Sequence, residues 1–300
     1  MELAQGARKD LISRRQALIV LSAAAAVRSA DAAVRSADAA EQAIMRPVSL
    51  DHVNIRVSNV ARTAQFYMGL FETPVLRNAA LRAQPGSPPS DGFFLKFGDG
   101  YLAISQAFAP NTPDLDHYSV GLRDYDKTKL TTKLQDSGIA VPPRSGADVW
   151  VADLDGALMQ LRQPGGWARQ TAMPYQGPAR LGPALSPLSM SRIGIRSADV
   201  ARAGDFYGRL FGTEIASAPS GRSRAFGLGD SVLELISAPA NSGSAKRELD
   251  YMRIAVKDFS VEAATRVLRE RGIKIDDAVA APGSLRISDP DGLTIELAAN

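Results

Sequence analysis

Residues 50–71 read LDHVNIRVSNVARTAQFYMGLF, and residues 190–211 read MSRIGIRSADVARAGDFYGRLF. The two stretches start 140 residues apart and are identical at nine positions, which in the first copy are Ile55, Arg56, Val60, Ala61, Arg62, Phe66, Tyr67, Leu70 and Phe71. The likeness continues downstream, where LDHY at 115–118 corresponds to LDYM at 249–252, and DLDG at 153–156 to DPDG at 289–292. Because solenoid repeats span only about 20–50 residues, a repeat of this length indicates a duplicated domain.

Strand and helix patterns alternate inside each copy. Val53, Ile55 and Val57 alternate with polar residues, which predicts a strand over 52–57. Apolar residues then recur every three to four positions, which predicts a helix over about 58–71. The same reading places further strands near 93–97, 101–106, 117, 148–152 and 157–162, and a helix over about 125–137.

These patterns predict an α+β chain of two tandem domains, each a pair of βαβββ units. The first domain spans 48–163 and the second 189–298. Between them, residues 164–188 are rich in Pro and Gly and lack a period, which is typical of a linker.

Composition narrows the possible chemistry. The 300 residues are 45% hydrophobic and carry a net charge of +3 with no block of like charge, so nucleic acid is not an expected partner. There is no cysteine, which excludes disulfides, cysteine zinc sites and thiol nucleophiles. His52 and His117 are the only histidines, so any chemistry that needs imidazole must use them.

The first forty residues are expected to be a signal peptide. Arg14 and Arg15 precede an apolar run of about 11 residues, which is too short for a bilayer span of about 20 residues. The adjacent arginines favour twin-arginine export, and Ala-x-Ala sites end at Ala32 and Ala39. We therefore expect the export machinery as a partner, a periplasmic or secreted mature chain and no permanent membrane anchor. A frayed amphipathic helix with incidental arginines is the alternative.

Three phrases of the sequence resemble one family. They are LDHVNIRV at 50–57, FYMGLF at 66–71 and DPDGLTIEL at 289–297. They are similar to the vicinal oxygen chelate superfamily, which includes glyoxalase I, extradiol dioxygenases and bleomycin-resistance proteins. The resemblance implies that the paired units of each domain curl into a half-open barrel. It fixes no reaction, because the superfamily supports many reactions on one scaffold.

The resemblance also implies a divalent metal bound by residues of the first, fourth, fifth and eighth strands. In the first domain these positions hold His52, Ala103, His117 and Gln160. The expected ligands are His52, His117 and Gln160, and Fe, Mn, Zn and Ni are not distinguished. Relatives that cleave catechols use two histidines and a carboxylate. Because Gln160 is neutral, it should weaken affinity, and Gln160→Glu is expected to tighten binding; two histidines without a metal are the alternative.

Side chains that share the strand faces of these ligands are expected to contact substrate, since side chains alternate along a strand. They are Asn54, Arg56, Ser119 and Arg162. Arg56 or Arg162 could bind an anionic oxygen, and an ion pair with an acidic residue is an equally open alternative. Alternation directs Asp116 and Tyr118 away from His117, so neither is assigned as acid or base, and no catalytic residue is identified.

The second domain is expected to lack the metal. Its equivalent positions hold Arg192, Glu234, Tyr251 and Glu296. A guanidinium is always protonated and cannot be a ligand. Arg192 is instead expected to form a structural ion pair with Glu234, Glu296 or both, while charges that simply point to water are the alternative.

Three functions are compatible with the sequence. The first is a metal-dependent enzyme of the dioxygenase or glyoxalase kind, which chelates two neighbouring oxygens of a small substrate. The second is a bleomycin-resistance-like protein that sequesters a small molecule without chemistry. The third is a metal-free structural or partner-binding relic. The two histidines favour the first function, whereas Gln160 and the lack of an obvious base favour the second.

Overall fold

A computed structural model of the chain describes residues 42–78, 92–144, 146–165, 185–212, 214–217, 220–239, 248–276 and 281–300. The predicted signal peptide, 1–40, lies outside the described residues, and so do residues 166–184 of the predicted linker. In the described part of the chain, no helix combines the length and apolar character needed to cross a membrane.

Fifteen strands and four helices make up the described residues. The first domain contains β1 (Pro47–Val57), α1 (Val60–Leu70), β2 (Val75–Asn78), β3 (Phe93–Phe97), β4 (Gly100–Gln106), β5 (Asp114–Leu122), α2 (Lys127–Asp136), β6 (Val149–Ala152) and β7 (Leu158–Arg162). The second contains β8 (Pro187–Ser197), α3 (Val200–Phe211), β9 (Glu214–Ser217), β10 (Ser223–Leu228), β11 (Ser231–Ser237), β12 (Leu249–Val256), α4 (Val261–Glu270), β13 (Ile275–Asp276), β14 (Ser284–Ser288) and β15 (Thr294–Ala298). Strand β8 thus begins inside the segment predicted as linker.

Each domain forms one mixed sheet, which confirms the predicted α+β class. The strand order is β2-β3-β4-β1-β5-β7-β6 in the first sheet and β13-β14-β15-β12-β8-β11-β10-β9 in the second. In both sheets the first strands of the two units, β1 with β5 and β8 with β12, pair antiparallel at the centre. The sites predicted from the resemblance therefore lie at the middle of each sheet.

One of the four predicted βαβββ units is shorter than expected. After α2, only β6 and β7 follow among the described residues, where the other three units have three strands. The segment that would form the missing strand contains Pro142 and Pro143, and residues 139–144 form no strand. Proline has no backbone N–H to donate to a neighbouring strand, which accounts for the difference.

The two domains are joined through equivalent turns. Asp291, in the DPDG turn of the second domain, accepts hydrogen bonds from the backbone N–H and Oγ of Ser58 and from Arg62, at the start of α1. Asp155, in the DLDG turn of the first domain, accepts from Ser197 Oγ and from the backbone N–H of Ala198, just before α3. Each domain thus supplies carboxylates to the helix N-terminus of the other, where negative charge is favourable.

The hairpins that join β3 to β4 and β10 to β11 add a second reciprocal contact. A Cβ on Gly98 would lie 2.0 Å from the carbonyl oxygen of Leu188, and a Cβ on Gly229 would lie 2.0 Å from that of Val48. Both glycines have positive φ, so only glycine fits these turns and this close approach. Most buried apolar residues of both sheets form one continuous core, and Leu76, Tyr101 and Ala103 form a separate small cluster.

Candidate metal centre

The predicted ligands of the first domain lie in adjacent rows across its sheet. His52 on β1 pairs with Ser119 on β5, Ser119 pairs with Gln160 on β7, and Gln160 pairs with Trp150 on β6. His117 lies two residue pairs further along, opposite Asn54. Because directly paired residues share a face, all these side chains project from the same side of the sheet.

The two imidazoles meet through their Nε2 atoms, which lie 2.9 Å apart. Each ring is held from behind by a carboxylate: Asp51 lies 3.0 Å from Nδ1 of His52, and Asp116 lies 2.6 Å from Nδ1 of His117. Since an ionised carboxylate only accepts hydrogen bonds, both Nδ1 atoms carry a proton, and each ring in its neutral form then presents a lone pair at Nε2. Two lone pairs at this distance repel, unless a proton or a metal ion lies between them.

Two β-bulges direct these carboxylates toward the histidines. The pairing of β1 with β5 shifts between Leu50 and His52, and shifts again between Asn54 and Ile55. Asp51 is the extra residue at the first shift and Asp116 the extra residue at the second. A bulge leaves its extra residue unpaired and redirects its side chain. Strict alternation therefore gave the wrong direction for Asp116, and Asp51 and Asp116 are site residues that the sequence analysis missed.

Arginines bind the same carboxylates on their outer side. Arg162 lies 3.6 Å from Asp51, and Arg56 lies 3.3 Å from Asp116. Asn54 also donates to Asp116, at 3.3 Å. The geometry therefore matches the ion-pair alternative for both arginines, because the charges predicted to contact substrate are already balanced by carboxylates.

Burial governs the ionisation of His52. It lowers the pKa of this imidazole to about 4, although the hydrogen bond that Nδ1 donates to Asp51 opposes the shift. His52 is therefore neutral near pH 7, which is the form of imidazole that binds metals. Burial alone would raise the pKa of Asp116, but His117, Arg56 and Arg144 outweigh it and hold that pKa below its usual value.

Gln160 and Ser119 each present a buried oxygen without a hydrogen-bond partner among the described residues, and Nε of Arg56 is likewise buried and unpartnered. The Gln160 side chain donates from Nε2 to Asp148 at 2.6 Å, while its Oε1 and the Oγ of Ser119 accept or donate no hydrogen bond in the described structure. Buried oxygens of this kind are rare in native proteins and call for an unseen partner. These two oxygens share a row with His52, so the donor set fits a divalent cation.

Aromatic rings enclose the site along the sheet. Tyr101 stacks on His52 with ring centroids 4.4 Å apart, and Phe94 stacks on Tyr101 at 5.1 Å. At the other end Trp150 meets His117 edge-on at 4.9 Å, and its ring lies 4.3 Å from the guanidinium of Arg144. Such packing fixes the orientation of both imidazoles.

The second domain carries charges at the equivalent positions. Arg192 replaces His52, and its Nη1 donates to Glu234 at 3.2 Å, while the hydroxyl of Tyr251 donates to the same Oε2. The predicted pairing of Arg192 with Glu234 is therefore seen. Gly194, in the position of Asn54, leaves room for Tyr251, since a Cβ there would lie 2.5 Å from its ring.

Of the two carboxylates predicted as partners of Arg192, Glu234 fills this role and Glu296 pairs with other arginines. Arg253 stands between Arg192 and Glu296 in the row, opposite Arg192 on one side and Glu296 on the other. Glu296 accepts instead from Arg253 Nε at 2.7 Å and from Arg286 Nε at 2.8 Å. Both arginines were missed by the sequence analysis, although they occupy the repeat positions of Ser119 and Trp150.

The Arg–Asp pair of the first domain recurs in the second. Arg196 Nε donates to Asp250 at 2.8 Å, as Arg56 does to Asp116, and Asp250 is again the extra residue of a bulge. No histidine lies beside Asp250, so the Arg–Asp pair is a structural feature that both domains share. Asp51 is different, because its counterpart is Ser191. The carboxylate behind His52 is therefore particular to the domain with two histidines.

Cavity volume alone does not identify this site. A cavity of about 710 Å³ lies between Phe66, residues 272–276 and 288–290, and includes none of the predicted site residues. A second, of about 470 Å³, is lined by Arg144, Asp148 and Trp150 among others and thus adjoins the edge of the candidate site. The polar atoms of His52, His117, Ser119 and Gln160 lie on one face of the sheet and identify the candidate site better than cavity volume does.

The comparison of the sequence with protein families gives one match. Residues 189–297 match the family described as the Glyoxalase/Bleomycin resistance protein/Dioxygenase superfamily. No curated protein matches the sequence.

Solved structures resemble the chain over most of its length. The 2,3-dioxygenase LapB from Pseudomonas sp. KL28 superposes with a TM-score of 0.62 at 16% identity, covering 85% of this chain and 93% of that one. A catechol 2,3-dioxygenase gives 0.60 at 17% identity, with coverages of 85% and 89%. The Mn(II)-bound glyoxalase from Novosphingobium aromaticivorans gives 0.62 at 13% identity, with coverages of 84% and 82%. The chain therefore has the fold of two-domain extradiol dioxygenases, and its second domain matches the Glyoxalase/Bleomycin resistance protein/Dioxygenase superfamily.

Proposed function

We propose that the chain is a divalent-metal-dependent enzyme that binds a small substrate through two adjacent oxygen atoms. The metal is held in the first domain by His52, His117 and Gln160. The observation that carries this proposal is the approach of the two Nε2 atoms to 2.9 Å, while each Nδ1 atom faces a carboxylate. A carboxylate–histidine–metal arrangement of this kind fixes ring and tautomer in many metal sites.

The relatives of similar fold support a dioxygenase-like or glyoxalase-like reaction. One is described as a homoprotocatechuate 2,3-dioxygenase from Brevibacterium fuscum in complex with 3,4-dihydroxyphenylacetate, and another as a Mn(II)-bound glyoxalase. A bound divalent ion acts as a Lewis acid that polarises substrate oxygens. Ser119 lies beside His52 with a free buried Oγ, so it can donate a hydrogen bond to a substrate oxygen. Tyr101 and Trp150 pack on the two imidazoles and limit the access of water.

Metal content is the direct test of this proposal. Protein purified without chelators should hold one divalent ion per chain, and His52→Ala or His117→Ala should abolish it. Tyr251→Phe, at the position equivalent to His117, is the matched control and should keep the ion. After anaerobic reconstitution, catechols and hemithioacetals should be screened for turnover. Equal metal in the native chain and both histidine variants would refute the ligand set.

A non-catalytic binding protein of the bleomycin-resistance type is the second candidate. The neutral Gln160 favours it, and so does the finding that the described residues contain no group of three His, Asp or Glu side chains able to hold a metal. Such a protein would bind its ligand equally well after chelation and in the His52→Ala variant. A metal-dependent enzyme would lose both binding and turnover in that variant.

The sequence before residue 41 supports export by the twin-arginine route and a periplasmic or secreted mature chain. Arg14 and Arg15 followed by a short apolar run are the basis of this proposal. That route carries folded proteins, which suits a chain that acquires its metal before export.

A further inference from the structure

The amide of Gln160 has a fixed orientation. Its Nε2 lies 2.6 Å from Oδ2 of Asp148, and its Oε1 is buried without a hydrogen-bond partner. Because an ionised carboxylate accepts but does not donate, the NH₂ end of the amide must face Asp148. The oxygen is then the end that is left for the inside of the site.

We propose that Asp148 is a positioning residue, which directs Oε1 of Gln160 into the site as the third ligand and polarises the amide. This inference rests on the proposed function. A glutamine that is free to rotate could present either its oxygen or its NH₂ group to a cation, and only the oxygen binds. The hydrogen bond to a charged acceptor removes the unproductive orientation and raises the basicity of the oxygen.

Arg162 ties this contact to the support of His52. Its Nε lies 3.7 Å from Asp148 and its Nη1 lies 3.6 Å from Asp51. One guanidinium therefore connects the carboxylate behind His52 with the carboxylate behind Gln160. Asp148 exposes 23% of its side chain and Arg162 exposes 18%, so both are partly shielded from water. Asp51 and Asp148 thus supply, behind the ligands, the negative charge that a neutral Gln160 does not bring to the site.

The contact reverses the effect expected of Gln160→Glu. The sequence alone predicts tighter metal binding from the added charge. In the structure, however, a glutamate at this position would face Asp148 across a hydrogen-bond distance, and two carboxylates repel there. With Asp148→Asn added, the amide of residue 148 can donate to the new carboxylate. Gln160→Glu alone should therefore not tighten metal binding, whereas the same substitution combined with Asp148→Asn should.

The experiment compares the native chain, Asp148→Asn, Gln160→Glu and the double variant, with Mn(II) as the probe. Dissociation constants come from titration, and melting temperatures are measured on the metal-free proteins. Asp148→Asn should weaken Mn(II) binding by about tenfold to a hundredfold while the metal-free melting temperature changes little. Gln160→Glu should lower the metal-free melting temperature, and the double variant should restore it and bind Mn(II) about tenfold more tightly than Gln160→Glu.

Two results would overturn the inference. One is Mn(II) binding by Asp148→Asn that equals that of the native chain, and the other is Gln160→Glu alone binding as tightly as the double variant. Failure of the proposed function looks different, because His52→Ala would then bind Mn(II) as the native chain does. The metal-free melting temperatures of Gln160→Glu and the double variant report the repulsion between residues 148 and 160 without reference to any metal.

Discussion

Replacing Glu296 by glutamine should destabilise the second domain strongly, because Arg253 and Arg286 share its carboxylate. Glu296 exposes 1% of its side chain, and its two oxygens accept from different guanidinium groups, at 2.7 and 2.8 Å. Glutamine keeps the shape but turns an NH₂ group toward one arginine, which offers only donors. Two cations that expose 24% and 16% of their side chains are then left without a full counter-charge.

The cost follows from the burial of this cluster. Removing one partner of a buried ion pair costs about 3–5 kcal/mol, because the other charge is left unpaired. Glu234→Gln is the matched control in the same sheet. Glu234 exposes 19% of its side chain and its partner Arg192 exposes 30%, so water can compensate part of the loss. We expect about 1–2 kcal/mol there, between the values of buried and surface pairs.

Thermal unfolding followed by circular dichroism measures both variants. At about 2–4 °C per kcal/mol, Glu296→Gln should lower the melting temperature by about 10 °C and Glu234→Gln by about 4 °C. Equal shifts, or a Glu296→Gln melting temperature within about 2 °C of the native value, would show that burial does not determine which of these ion pairs contributes more to stability.

Three further changes probe the metal support, the domain contact and the signal. Asp116→Asn should weaken metal binding by about tenfold or more, whereas Asp250→Asn, its equivalent beside Tyr251, should leave it unchanged in a Mn(II) titration. Asp291→Ala removes the acceptor for the start of α1 and should lower stability by about 2–3 kcal/mol in urea unfolding; an unmoved midpoint would contradict this. Arg14→Lys with Arg15→Lys should leave the uncleaved precursor inside the cell, and normal export in a fractionation assay would exclude the twin-arginine route.

The fold could be predicted because each local pattern agrees with the repeat. Alternation over 52–57 and the helical spacing that follows occur in both copies, and each of the four helices begins at an Asn, Asp or Ser that caps it. The difference at the second unit arises from two adjacent prolines after its helix, which a repeat-based prediction overlooks because the segments that directly follow the other three helices lack such a pair. The sequence pattern predicted the order of helices and strands correctly, but it did not predict that one unit lacks a strand.

The candidate site could be predicted only to the level of strand faces. His52, Ser119 and Gln160 share a row because they occupy regular strand positions. Asp51 and Asp116 could not be placed by alternation, since a bulge adds one residue to one strand and cancels the alternation locally. A bulge recurs at Asp250 in the second domain. Only the strand pairing in the structure reveals it, because a bulge changes the register between two strands and leaves no mark in the amino-acid composition.

Introducing a metal site into the second domain tests whether equivalent positions of the two sheets have equivalent chemistry. Arg192→His with Tyr251→His places imidazoles at the positions of His52 and His117, beside Glu296. The sequence suggests that this double change suffices. In the structure Arg253 contacts Glu296 through Nε and Nη2, and it occupies the position that Ser119 holds in the first domain. We therefore expect the double variant to bind no metal, since its carboxylate stays neutralised by a neighbouring cation.

Adding Arg253→Ser should create the site. Arg286 still donates to Glu296 Oε2, so this carboxylate keeps an outer partner while Oε1 becomes free. The variants are best made in a chain that also carries His52→Ala and His117→Ala, so that only metal in the second domain is counted. The triple change should then hold one Mn(II) per chain, and the double change none. Mn(II) bound equally by both would mean that Arg253 does not block the carboxylate, and none bound by the triple change would mean that the rows of the two sheets are not chemically equivalent.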